Sequence, residues 1–182
     1  MSNHNTYKGE TIVKEGRLDI AGTGSLASRL VSVNDGATLG GNGLLKGDVD
    51  MKPGSAFNVE FSLGGLMTIQ GDMNLLGADI TLNFAGFTDF EDFLASPYFS
   101  GDEARFANLL GDFTGSNFAE LKVGSDTFNL TAGSFTIGED VYTVGQNGNG
   151  LYLTVEPVPE PTTWALLAGG LGVLALMRRR LG

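Results

Sequence analysis

Asp48-Val49-Asp50 sets two carboxylates two positions apart, and residues at that spacing share one face of a strand. Such a pair can hold a hard cation through oxygen. With Asp72 and Asp79, and with Lys46 or Lys52 as a nearby base, these are the carboxylates from which a β-helical polysaccharide lyase or glycosidase would have to build a groove. Their spacing shows no organisation, and a solvated acidic face is the simpler reading. The single histidine, His4, lies in a polar terminus, so a Ser-His-Asp triad and a histidine metal site have no support. The absence of cysteine excludes a thiol nucleophile, a thiolate metal site and a disulfide framework. Gly22 to Ala27, "GTGSLA", fits the G-x-G-x-x-A of a dinucleotide-binding turn. The segment after it, "SRLVSVNDGATLGG", is broken by β-branched residues and glycine where that motif needs a long helix. It reads as an ordinary turn. "GGNGLLKGD" at 40–48 approaches a calcium-binding nonapeptide, but Leu45 stands where an aspartate is required. No catalytic residue, cofactor or metal site is therefore assigned, and the chain reads as a non-enzyme.

The elements that could carry such groups fall into a body and a tail. The tail is the sharper signal. Trp164 to Met177 has no charged or polar side chain. It is apolar all round, stands at the C-terminal end and is followed by Arg178, Arg179 and Arg180. Pro161 suits the first turn of a helix, where its missing N–H would have been unpaired. Thr162 and Thr163 extend the run to sixteen residues, ~24 Å at the helical rise of ~1.5 Å per residue. That predicts a short transmembrane helix, with arginine snorkelling covering the mismatch. The arginines would lie in the cytoplasm and the body outside. The alternative is a buried core helix.

Of 182 residues 28 are glycine, about twice ordinary usage, which marks many turns or closely approaching backbones. Net charge is −10. Removing the three terminal arginines leaves an acidic body that nucleic acid would repel, so no nucleic-acid partner is expected.

Val158-Pro159-Glu160-Pro161-Thr162, a short glycine-containing apolar helix and a terminal arginine cluster together resemble the PEP-CTERM sorting signal of exported bacterial proteins. The resemblance spans residues 158–180. It implies Pro159, Glu160 and Pro161 as the sorting motif, Trp164 to Met177 as membrane anchor, and Arg178, Arg179 and Arg180 as the stop. It also implies processing by an integral-membrane exosortase, a cell-envelope or cell-surface location and a link to extracellular polysaccharide or biofilm. Against that, "MSNHNTYKGETIVKEG" has no apolar h-region and reads as no signal peptide. A truncated or mis-started gene is the expectation drawn from this conflict.

In the body, glycine recurs before short alternating runs at 16–20, 36–40, 54–61, 65–71 and 77–84, and again at 124–130, 133–145 and 150–156. Alternation over four to six positions predicts half-buried strands, and the steps Gly16 to Gly36, Gly36 to Gly54 and Gly54 to Gly77, of 20, 18 and 23 residues, suit solenoid coils. An antiparallel β-sandwich, acting as a carbohydrate- or protein-binding module, is the alternative. Thr6, Tyr7, Gly9, Thr11, Val13, Gly16 and Leu18 resemble the autotransporter-associated β-strand repeat, with the likeness continuing to about residue 85. That resemblance implies a right-handed parallel β-helix at the cell surface. Two helices are predicted in 86–122. Thr88 with Glu91 forms a capping box before Phe90, Phe93 and Leu94; Ser100 with Glu103 forms another before Phe106, Leu109 and Leu110, ending at Gly111. The expected organisation is β-helix coils over 1–85, a helical insert or cap over 86–122, terminal strands over 123–157 and the sorting signal with its transmembrane helix over 158–182.

Overall fold

The computed structural model describes residues 1–61 and 64–157. The chain winds through three strands per layer. Layer 1 holds β1 (His4–Asn5), β2 (Glu10–Val13) and β3 (Gly16–Ile20). Layer 2 holds β4 (Ser25–Leu26), β5 (Leu30–Val33) and β6 (Ala37–Gly41); layer 3 holds β7 (Leu44–Leu45), β8 (Asp48–Met51) and β9 (Ala56–Glu60). Layer 4 holds β10 (Thr68–Ile69), β11 (Met73–Leu75) and β12 (Thr81–Ala85), followed by helix α1 (Phe90–Leu94). Layer 5 holds β13 (Glu103–Leu109), β14 (Phe113–Gly115) and β15 (Glu120–Val123). First, second and third strands stack in parallel into sheets A, B and C. From β2 to β14 this is about four turns of a β-solenoid. Parallel pairing displaces the antiparallel sandwich.

The stacking is legible in the burial. Leu26, Leu45, Ile69 and Leu109 are successive partners in sheet A and all are buried. Leu39, Phe57, Leu82 and Leu121 do the same in sheet C. Each inward side chain rests on its counterpart one layer away, so apolar area is removed from water along the whole axis. The corner between sheets B and C explains the glycine spacing. Gly16, Gly36 and Gly54 have φ of 72°, 71° and 77°, a left-handed turn that a Cβ disfavours. In layer 4 Asp79, φ 68°, takes this corner rather than Gly77. Gly36 N donates to Gly54 O (3.1 Å) and Gly54 N to Asp79 O (3.0 Å), so the corners themselves form a ladder.

Past layer 5 the pairing turns antiparallel. β16 (Asp126–Asn129) folds back on β15, while β17 (Ser134–Ile137), β18 (Asp140–Asn147) and β19 (Gly150–Pro157) extend sheet A from β13. Gln146 closes the edge of β14: its Oε1 accepts from Phe113 N and its Nε2 donates to Gly111 O, both at 2.8 Å. The solenoid therefore ends in a hairpin cap.

Only one of the two expected helices forms. Helix α1 starts one residue later than the capping box implied, at Asp89, whose side chain accepts from Asp92 N, while Thr88 N donates to Asp92 Oδ2. Phe90 and Phe93 are buried beneath it. Residues 103–109 are strand β13 instead of a helix. Glu, Ala, Arg and Leu favour helix locally, but the segment is held between β10 on one side and β19 on the other, and tertiary pairing outweighs propensity. Gly101 and Asp102, with φ of 62° and 72°, break the chain just before it. Among the described residues, no helix is long and apolar enough to cross a membrane. The expected transmembrane helix, Trp164 to Met177, lies outside the described residues.

Candidate functional site

Asp48, Asp50, Asp72 and Asp79 do not converge on one groove: Asp48 and Asp72 stack at one corner, while Asp50 and Asp79 lie elsewhere. Asp48 Oδ1 accepts from Asp72 N (3.0 Å), and Asp72 Oδ1 accepts from Asp112 N (2.8 Å). The three form a column at the corner between sheets A and B. Glycine precedes each of them, and a Cβ at Gly111 would come within 2.5 Å of Gly71 O. These side chains take the place of a backbone acceptor where the ladder bends. Asp50 lies on the outer face of sheet B, accepting from Asn74 Nδ2 (2.9 Å), and Thr114 donates to Asn74 Oδ1 in turn. Asp79 sits at the other corner. Among the described residues no group of three His, Asp or Glu could hold a metal ion. His4 Nδ1 is 2.9 Å from Ser25 Oγ. Gly22 to Gly24 form a turn, Gly22 with φ 60°, leading into β4 rather than a helix. The corner aspartates carried a sequence signal that single-residue reasoning passed over. "LLKGDVDM", "TIQGDMNL" and "NLLGDFTG" align residue for residue in the observed register.

The most organised polar surface is the outer face of sheet C. Arg17, Thr38, Ala56, Asn58, Thr81, Asn83 and Lys122 line a shallow depression of about 350 Å³. Every strand sends its outward positions here, so hydroxyls and amides form rows across layers. Asn83 Nδ2 donates to Asn58 Oδ1, and Asn58 Nδ2 donates to Glu60 (3.3 Å). Arg17 reaches from layer 1 across layer 2 to Glu60 in layer 3, and its Nε donates to Asp19 (2.7 Å). Gly40 makes room for this crossing, since a Cβ there would stand 2.7 Å from Asp19 Oδ1 and 3.1 Å from Arg17 Nη2. Partial burial lowers the Arg17 pKa, but the hydrogen bonds and charges of Asp19 and Glu60 more than offset it and hold the guanidinium above its ordinary value. Lys122 Nζ lies 2.7 Å from Glu120 Oε1 at the far end. The face can offer hydrogen bonds to a polyhydroxylated surface, with its charges already paired.

Arg17→Gln is expected to lower stability by no more than about 1 kcal/mol, because the pair is partly exposed and screened. The loss should shrink further in 1 M salt, where the Debye length is about 3 Å. Urea unfolding at low and high salt checks this; an unchanged difference would mean that packing of the side chain over Gly40, and not charge, holds the clip.

Pro159, Glu160, Pro161, Trp164, Met177, Arg178, Arg179 and Arg180 lie outside the described residues. What leads into them is described. β19 pairs with β13 on one side and β18 on the other, and its last residue, Pro157, is opposite Asp140. Pro159 is thus two residues beyond a strand that β13 holds as far as Thr154 and β18 as far as Pro157.

Residues 157–180 match the PEP-CTERM protein-sorting motif. The chain is also similar to the adhesin BmaC autotransporter of Brucella suis biovar 1 (strain 1330), 45% identical over 58 residues, or 32% of this chain. It spans about 2% of the length of that curated relative. No solved structure gives a significant match.

Proposed function

We propose that this chain is a non-catalytic protein of the cell surface or extracellular matrix, delivered by its C-terminal sorting motif, with the β-solenoid as an adhesive scaffold. The observation that carries this reading is the sorting-motif match over 157–180, which starts at the last residue of β19, where that strand pairs with β18. An exosortase-type enzyme is the expected processing partner. Before processing, Trp164 to Met177 anchors the chain in the membrane and Arg178 to Arg180 stop it from sliding through, since each would have to cross hydrocarbon. After processing the body is transferred to the envelope or released.

The motif suits scission for a physical reason. Pro159 and Pro161 fix φ and remove two N–H donors, keeping the segment extended and unable to join a helix or a ladder. Extracellular polysaccharide is the proposed partner of the body. The rows of hydroxyl and amide side chains on sheet C support this, because sugars are bound by just such multiple neutral hydrogen bonds. The similarity to an adhesin supports the same reading. The solenoid, with α1 inserted between layers 4 and 5, the terminal hairpins after β15 and the sorting signal after residue 157 then act as successive functional units along the chain.

Intact-mass measurement and cell fractionation, in hosts with and without an exosortase and with an export signal supplied, test the reading. The exosortase-positive host should yield a body that has lost residues 162–182, and Glu160→Ala should leave the full-length chain in the membrane. A mature protein that keeps residues 162–182 in the positive host rejects the sorting role and leaves a plain membrane anchor.

A further inference from the structure

The register of sheet C sets two rows of side chains on its outer face. Arg17, Thr38, Ala56, Thr81 and Glu120 are successive partners in one row, and Asp19, Gly40, Asn58, Asn83 and Lys122 in the other. Each end is closed by an ion pair across the rows. Arg17 Nε meets Asp19 Oδ1 in layer 1, and Lys122 Nζ meets Glu120 Oε1 in layer 5, both at 2.7 Å. Between these pairs, layers 2 to 4 of both rows are uncharged. The second row is largely taken up within the protein, since Arg17 crosses beside Gly40 to Glu60 and Asn58 is 3% exposed. Thr38, Ala56 and Thr81 in the first row stay half-buried, with one side open to solvent.

We propose, resting on the polysaccharide reading of sheet C, that this first row seats an uncharged, extended β-1,4-linked glycan running along the solenoid axis, one sugar to a layer. Successive layers are about 4.8 Å apart, close to the advance of such a glycan per sugar. Thr38 and Thr81 therefore stand two layers, or about 9.6 Å, apart. A two-fold ribbon presents the same edge at every second sugar, so both threonines meet equivalent sugar hydroxyls, donating or accepting as each requires. Ala56 stands between them in the row and offers a methyl to the C–H face of the middle ring.

Charge and shape decide against the other glycan classes. Residues 1–157 hold 8 basic and 20 acidic residues, so a uronate chain is repelled by the body. The two cations of the rows, Arg17 and Lys122, already have carboxylate partners and leave a uronate nothing to pair with there. An α-1,4-linked glycan coils and cannot follow a straight row across parallel layers. The ion pairs at the two ends confine the footprint to layers 2, 3 and 4, which is room for a trisaccharide unit of the chain.

Calorimetric titration of the full chain, in a zwitterionic detergent without a sugar head group, tests the proposal. Cello-oligosaccharides from the disaccharide to the hexasaccharide should bind, with affinity rising to the trisaccharide and levelling beyond it. Thr38→Val and Thr81→Val keep a β-branched side chain that suits a strand, and each should weaken cellohexaose about threefold to tenfold. Ala56→Tyr fills the row and should abolish binding, with its fold checked by circular dichroism. Maltohexaose and a β-1,4-linked oligomannuronate should bind about tenfold more weakly than cellohexaose, or less. A loss in only one of the threonine variants means a chain that crosses the face within a layer, and overturns the proposal. So does a loss in neither, or an affinity that does not level with length. If maltohexaose or oligomannuronate binds in place of cellohexaose and Ala56→Tyr abolishes it, this inference falls and the polysaccharide reading of sheet C stands. If no glycan binds, both fall.

Discussion

Phe93→Ala is expected to cost about 3–5 kcal/mol, a large share of a domain's usual stability. Phe93 is fully buried, and its ring centroid lies 5.1 to 5.8 Å from those of Phe61, Phe84, Phe87, Phe90 and Phe99. The residues it contacts come from layers 3 and 4, from α1 and from the loop after it. Removing the ring opens a cavity where all of them converge. A helix of five residues cannot stand alone in water, so α1 is ordered by this contact and by Phe90, which packs on Phe128, Phe135 and Tyr142 of the hairpin cap. The loss should therefore spread to the end of the solenoid. Equilibrium unfolding in urea measures it, with Tyr7→Ala, at a 58% exposed position, expected within about 0.5 kcal/mol of the natural chain. A Phe93→Ala cost below about 1 kcal/mol would mean the aromatic cluster relaxes freely and does not tie the cap to the coils.

Deleting residues 158–182 is expected to change a chain that needs detergent into one that dissolves without it. The deletion removes the apolar run and Arg178 to Arg180, and the remaining 157 residues hold 8 basic and 20 acidic side chains. Such a charge keeps the body in solution. Its core should survive, because the buried cluster from Val13 to Leu153 is made by the described strands themselves and β19 is already paired on both edges. The thermal midpoint of the deleted chain should therefore match that of the full chain in detergent. Precipitation of the shortened chain, or a midpoint lower by more than about 5 °C, would instead assign Trp164 to Met177 to the core.

The dominance of phenylalanine, 12 against 4 tyrosines and 1 tryptophan, has its explanation in the same cluster. Most of these rings, from Phe61 to Phe135, join one network that packs α1 and the cap on the coils. Composition alone could say that they were not typical of a sugar site, but not where they would go.

What could be read along the chain was whatever depends on neighbours a few residues away. Gly16, Gly36 and Gly54 marked corners because a left-handed φ penalises any Cβ, and that penalty is local. Strand β12 showed its alternation for a local reason too: Leu82 and Phe84 are buried, Thr81, Asn83 and Ala85 are only partly so, and the period of a strand is two. The tail announced itself through composition and order. Tertiary structure decided the rest. Two-residue strands such as β1, β4, β7 and β10 have no period to detect and exist only because a partner from the adjacent layer supplies the ladder. The segment 103–109, helical by propensity, became a strand because β10 and β19 offered unpaired edges on both sides, from positions about forty residues away. The aspartates at 48 and 72 looked like candidate ligands until the register placed each beside the backbone N–H of the next corner, where the ladder bends and a side-chain oxygen is the acceptor within reach.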